Sequence, residues 1–404
     1  MLIAIDEQGN YTHLINDMDS SLIERWRTTK EFFCPQCREK LIIKAGKIKI
    51  THFSHYRHSD CQTSFSEPES ARHLQGKKDL YLFFKQNSSK VELEPYLRQI
   101  NQRPDLLVQM NEKRYAIEFQ CSVISPEMIQ QRTEGYKKIG IIPIWIFGGT
   151  LPPQRLLTLS TFQLSMTRFY SSNLILLCYD PDKQNFQFLT QITKITESKY
   201  DTKSLVLPLQ NVRVPIFLDL PAYSFSNIQW LNLKHKWITQ RIRYGNLIDD
   251  PFLKTVYEQG EHPSAIPIIC GIPVKFMETI KEHPIEWQYY IYCDSFKRLK
   301  VGDKISLKFI YYKFRQAIKQ KKITIQTIEQ TVNHLWEQAI KEYFHVLTKL
   351  NYVLPLTDDL YMMKQEFIAE QSVELQSNNE KLLFQQSDPF LKREQQMIHF
   401  FQED

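Results

Sequence analysis

Two apolar runs, LLVQM and YAIEF, lie between Arg103 and Gln120 and are separated by the four polar residues NEKR. Each run has strand length and strand composition, and the polar break between them is a turn, so the segment reads as a β-hairpin. Each run also carries an acid, Asp105 at the start of the first and Glu118 inside the second. Burying an unpaired carboxylate is costly, and both runs would be good apolar strands without theirs. A hairpin sets the two acids near the same end of adjacent strands, where they repel unless a cation sits between them. Hard oxygen donors favour Mg2+ or Mn2+, and such a metal activates water and offsets charge on a phosphodiester.

The flanking sequence predicts helix and strand in alternation. Residues 66–86 read as a helix, VELEPYL as a strand, and a second helix begins at Ser125-Pro126 and stops at Gly140, followed by the apolar strand IIPIWIFGG. The order helix, three strands, helix, strand predicts a compact α/β unit over 66–150, with GGTLPP as its boundary. Residues 151–225 read as a mixed connecting region, with a helix-like PQRLLTLSTFQLSM and a hairpin turning at Asp180-Pro181-Asp182. Residues 226–404 read mainly as helices.

Upstream, residues 1–65 read as a small zinc-ribbon-like β element with a metal-ligand pattern. Cys34-Pro-Gln-Cys37 is a knuckle that aims two thiolates at one centre, and His52, His55 and Cys61 follow after a strand–turn–strand. Tetrahedral zinc takes such a set. Alternation along ITHFSH puts Phe53 and His55 on one face and His52 on the other. Cys34, Cys37, His55 and Cys61 are therefore the predicted ligands of a structural Zn2+, with His52 the alternative to His55.

The spacing of Pro104-Asp105 and Glu118-Phe119-Gln120 resembles the PD-(D/E)xK nuclease superfamily, with Gln120 where Lys is usual. Glu118 and Gln120 share a strand face; Gln orients water but carries no charge. The resemblance implies a restriction-endonuclease-like core in which Asp105 and Glu118 hold Mg2+ or Mn2+ and the preceding helix adds Glu69. His73 and Lys77 follow Glu69 at helical spacing and would lie near phosphates, as would Arg132 on the next helix. Glu69 also fits a capping box with Ser66, in which it bonds back to the helix start. CPQC, HFSH with Cys61, ESARH with Lys77, RPD, IEFQCS and PIWIFGG, in that order, resemble the CoiA family of competence proteins. That resemblance implies natural transformation and a metal-dependent deoxyribonuclease acting on incoming single-stranded or branched DNA. Recombination proteins would be its partners. A silenced nuclease fold that binds DNA and assists them is the alternative.

Among 404 residues, 42% are hydrophobic and 13% aromatic, which excludes a disordered scaffold. No apolar run is long enough to span a bilayer, and MLIAIDEQGN lacks the basic-then-apolar start of a signal peptide, so a cytoplasmic protein is expected. The net charge of +6 is compatible with nucleic acid. Beyond residue 226, WITQRIRYGN offers Arg241 and Arg243, and KFIYYKFRQAIKQKK interleaves lysines with aromatics as single-strand binders do. The competing reading of the second segment puts its aromatics in the core and its lysines outside.

Overall fold

A computed structural model describes residues 1–15, 19–46, 49–56, 61, 69–88, 90–110, 112–170, 173–213, 227–246, 249–328, 335–367 and 378–383. The first strands form an antiparallel sheet in the order β2-β1-β3-β4-β5. They are β1 (Ile3–Asp6), β2 (Tyr11–His13), β3 (Phe32–Phe33), β4 (Lys40–Gly46) and β5 (Lys49–His55), with helix α1 (Ser20–Thr29) between β2 and β3. Phe32, Leu41 and Phe53 close their own small core around Cys34 and Cys61.

A larger sheet follows. Helix α2 (Ala71–Asn87) leads into β6 (Lys90–Leu93), β7 (Leu106–Met110) and β8 (Lys113–Gln120). Helix α3 (Pro126–Lys138) returns the chain to β9 (Ile141–Phe147), parallel to β8. The predicted hairpin is present, with Leu106 opposite Ile117 and Met110 opposite Lys113. α2 packs Leu74, Leu80, Phe83 and Phe84 on one face, against Ile117 and Phe119. Gly76 is where the helix comes closest to the sheet: a Cβ there would fall 2.0 Å from the Phe119 ring. α3 covers the other face, with Ile129 beside Trp145 and Tyr136 beside Ala116.

The boundary expected at 150 falls inside this sheet. After β10 (Leu156–Thr158), α4 (Thr161–Ser165) and β11 (Arg168–Tyr170) come β12 (Asn173–Asp180), β13 (Asn185–Lys194) and β14 (Lys199–Pro208). The order is β10-β14-β13-β12-β9-β8-β7-β6, with β11 on β12. β12 is buried along its whole length, and a strand covered on both faces belongs inside a sheet; it pairs in parallel with β9. The helix expected over 153–166 is cut short because a Ser160–Gln163 capping box starts it at Thr161.

The remaining chain builds a second large core from α5 (Asn227–Tyr244), α6 (Pro251–Glu258), α7 (Pro284–Ile291), α8 (Leu307–Lys319) and α9 (Leu335–Lys349). Trp230, Trp237, Trp287, Trp336 and Tyr343 fill it. A three-stranded sheet joins these helices, β15 (Lys304–Ser306), β16 (Val353–Pro355) and β17 (Leu360–Met363) in the order β15-β17-β16. Lys194 of β13 fastens this region to the central sheet by donating to the Ile280 and Lys281 carbonyls. Among the described residues no helix is long and apolar enough to cross a membrane.

Candidate metal centres and acid cluster

Cys34 and Cys37 flank the turn that follows β3, where the Arg38 amide donates to the Cys34 carbonyl. His55 ends β5, and its Nε2 lies 3.3 Å from Cys37 Sγ. The ligand atoms of Cys34, Cys37, His55 and Cys61 all lie within 4.8 Å of one another. Strand alternation selects the histidine: Phe53 is buried in the core, His55 joins the cysteines, and His52 Nδ1 lies 2.7 Å from the Ile50 carbonyl. Burial pushes the Cys37 thiol up to about 12, with Cys61 and Cys34 adding to the shift. Zinc reverses that penalty by binding the thiolate. Three thiolates and one imidazole form a closed tetrahedral set, so the donors fit structural zinc.

The second cluster is built from α2 and the two ends of the hairpin. Ser70 caps α2 by accepting the His73 amide at 3.1 Å, so Glu69 stands just before the cap. Ser66, the other half of the expected capping box, lies outside the described residues. The Glu69 carboxylate is taken by Lys77 and by the Met1 amino group. Lys77, 1% exposed, also binds Glu94 and lies 3.5 Å from Asp105. Glu94 follows β6 in the left-handed region (φ 45°) and accepts the Leu2 amide at 3.1 Å, which ties the first sheet to the second. Asp105 accepts the Phe119 amide at 2.9 Å on one oxygen, and its other oxygen is 3.3 Å from His73 Nε2. The ligand atoms of Glu69, His73 and Asp105 lie within 4.8 Å of one another.

Electrostatics explains how so many charges share one pocket. Burial alone would raise the Asp105 carboxyl, but His73 and Lys77 outweigh it and hold Asp105 well below the usual carboxylate range. Glu69 and Glu94 are lowered in the same way, by Lys77 and the Met1 amino group against burial. Burial would lower Lys77, yet Glu69, Glu94 and Asp105 hold its ammonium above its ordinary value. Arg103 is raised against burial by Glu94, Glu69, the Cys34 thiol and Asp105. It therefore feels the acid cluster and the cysteine cluster together.

Other expected site residues sit differently. The hairpin register does bring Asp105 and Glu118 to the same end. The Glu118 side chain, however, turns to α3, where Arg132 and the Tyr136 hydroxyl hold it. Burial pushes Glu118 up, Arg132 opposes, and the Asp105 charge adds to the rise. Arg132, expected at DNA phosphate, is committed to Glu118, the Tyr136 hydroxyl and the Arg103 carbonyl. His73 and Lys77, also expected there, point into the carboxylates instead of outward. Gln120 donates to the Ser122 carbonyl at 2.8 Å. Arg241 is engaged by Asp250, Glu197 and Glu286 over the Trp237 ring, whereas Arg243 is exposed. Sequence reasoning missed Glu94, Arg103 and the Met1 amino group as members of the cluster.

Two carboxylates and an imidazole are donors that Mg2+ or Mn2+ accepts. The Lys77 ammonium sits among the same oxygens, so a divalent cation there competes with it.

Sequence models of three CoiA domains match consecutive stretches of the chain: the N-terminal domain over residues 15–64, the nuclease-like domain over 69–220 and the C-terminal domain over 225–376. The competence protein CoiA of Bacillus subtilis (strain 168) is 29% identical over 362 residues, which cover 87% of this chain and 94% of that protein. No solved structure matches the fold. The nuclease-like match includes β10 to β14, in keeping with one continuous sheet.

Proposed function

Because the chain belongs to the CoiA family of competence proteins, we propose that it is a metal-dependent deoxyribonuclease of the PD-(D/E)xK type. It processes single-stranded or branched DNA in natural transformation, alongside recombination proteins. The observation that carries this is the grouping of Glu69, His73 and Asp105 at the end of the β7–β8 hairpin, inside the nuclease-like segment. Mg2+ or Mn2+ held there supplies Lewis-acid stabilisation of phosphoryl oxygens and a more acidic bound water. The chain's own residues prepare the site. The Phe119 amide and His73 orient Asp105, and keep it ionised. Glu94 and the Met1 amino group pin Lys77 and Glu69. Lys77 supplies, from α2, the positive charge that Gln120 lacks at the usual lysine position. Glu118 fixes α3 through Arg132 and Tyr136 rather than facing the phosphate.

A second reading, a nuclease-derived fold that binds DNA without cutting it, is favoured by one observation. Glu69, Glu94 and Asp105 are already met by Lys77, the Met1 amino group and Arg103, and Glu118 by Arg132. The test is cleavage of labelled single-stranded, duplex and branched DNA with Mg2+ or Mn2+, using wild type, Asp105→Ala and Glu118→Ala. Metal-dependent cutting abolished by Asp105→Ala supports the nuclease. No cutting on any substrate, with DNA binding retained, replaces it with the accessory role.

A further inference from the structure

Helix α8 presents an unusual outward face. Its inward stripe is Leu307, Ile310, Phe314 and Ala317, at helical spacing. The opposite arc carries Lys308, Phe309, Tyr312, Lys313, Arg315 and Lys319. Phe309 is 44% exposed and Tyr312 56% exposed, so both rings stand in solvent although the helix has a well-filled apolar stripe to bury them. They lie one turn apart, and the Lys313 ammonium sits over the Phe309 ring at 5.8 Å. From Lys304 to Lys322 the sequence has seven cations and no acid. Among the described residues, two acids from other elements bind the helix, both at the margins of this arc. Asp359 caps the first turn through the Lys308 amide, and Glu337 of α9 binds Arg315. Lys321 and Lys322 continue the exposed positive charge past the helix end.

We propose that this face of α8 is a binding surface for single-stranded nucleic acid, separate from the acid cluster of the central sheet. The inference rests on the reading of the chain as a DNA-processing protein, and deepens it by assigning substrate retention to the C-terminal region. Charge complementarity selects a polyanion. The exposed rings among the cations select a strand with unpaired bases, because bases stack on aromatic faces while phosphates meet lysines. A helix of 13 residues is about 20 Å long, enough to follow a few nucleotides. The arc is sequence-tolerant by construction, since it holds side-chain charges and flat rings and no fixed fork aimed at one base edge.

The experiment uses full-length, zinc-loaded protein and fluorescein-labelled oligo(dT), with anisotropy read across a salt series without added divalent metal. One variant combines Lys308→Gln, Lys313→Gln and Lys319→Gln; the other combines Phe309→Ala and Tyr312→Ala. Lys308, Phe309, Tyr312 and Lys319 are exposed and Lys313 is half-buried, none of them in the apolar stripe, so folding is preserved, and melting curves verify it. Removing three phosphate contacts should flatten the log–log salt slope by about 2. Removing the rings should weaken binding by about tenfold or more at unchanged slope. Equal affinities and slopes in wild type and both variants overturn the inference, even where DNA is cut in an Asp105-dependent way. A loss in the variants upholds it, even where no DNA is cut. Loss with duplex alone, insensitive to the aromatic variant, overturns the assignment to single strands.

Discussion

Lys77→Met removes the ammonium shared by Glu69, Glu94 and Asp105 while keeping the length of the side chain. Lys77 is 1% exposed, so water does not replace it. Deleting one partner of a buried charge pair costs about 3–5 kcal/mol, because the other charge stays buried. Here the Met1 amino group and Arg103 still act on Glu69 and Glu94, which places the loss near the low end, about 3 kcal/mol. For a domain the size of the central sheet this lowers the melting temperature by roughly 6–12 °C. The pH dependence follows from the direction of the shifts. Asp105, Glu69 and Glu94 are lowered in the folded protein. Their contribution is therefore present above about pH 4–4.5 and is lost as pH falls through the lowered folded values. Lys77→Met should show its full deficit near neutral pH and a shrinking one below about pH 4. Scanning calorimetry across that range, with and without Mn2+, is the assay. Mn2+ should raise the melting temperature of the variant more than that of the wild type, since the ammonium no longer competes. A neutral-pH melting temperature within about 2 °C of wild type, with no added response to Mn2+, would refute a lysine-held acid cluster.

Three further outcomes are expected. Zinc chelation, or Cys34→Ser, should remove about one equivalent of zinc by elemental analysis. It should also speed hydrogen exchange at both Phe53 and Met1–Ile5, because Met1 and Phe53 exchange backbone hydrogen bonds of 2.9 and 3.1 Å. Gly76→Ala should destabilise by about 1–3 kcal/mol, measured by urea titration, because its methyl meets the Phe119 ring. Burial pushes Glu286 up to about 7, against Arg241. A raised folded value is stabilising in full below the unfolded value and lost as pH rises through about 7, so Glu286 by itself contributes about 3 kcal/mol on acidification to about pH 4.5. It is opposed by His283, which burial holds well below its ordinary value and which loses stability as pH falls below about 6.5. Glu286→Gln should remove the gain, so that the melting temperature of the C-terminal core falls on acidification over that window as the unfolded chain protonates His283.

The parts that sequence made legible are those encoded by short-range spacing. The Cys34–Cys37 knuckle, the alternation that sets His55 beside Phe53, and the hairpin with Asp105 and Glu118 at one end all depend on neighbours a few residues apart. The sheet passing through residue 150 was not legible, because the pairing of β9 with β12 is decided by long-range burial and has no local signature. Side-chain allegiance was the other blind spot. The spacing pointed Glu118 at a cation, and the packing of α3 instead sets it on Arg132 and Tyr136. Glu94 falls in the VELEPYL run with nothing local to mark it, but its left-handed backbone turns it out of β6 and toward Lys77. One signal was present and carries the deepest consequence. Lys77 lies within the helical stripe Leu74, Leu80 and Phe84, all of them buried, and a lysine in an apolar stripe demands buried acids. Those acids include two of the three candidate metal ligands. On the proposed metal reading, metal affinity and the placement of Lys77 would be one equilibrium, a divalent cation entering only as the ammonium yields oxygens of Glu69 and Asp105. The same lysine that stabilises the acid cluster would thereby limit how tightly a metal binds there.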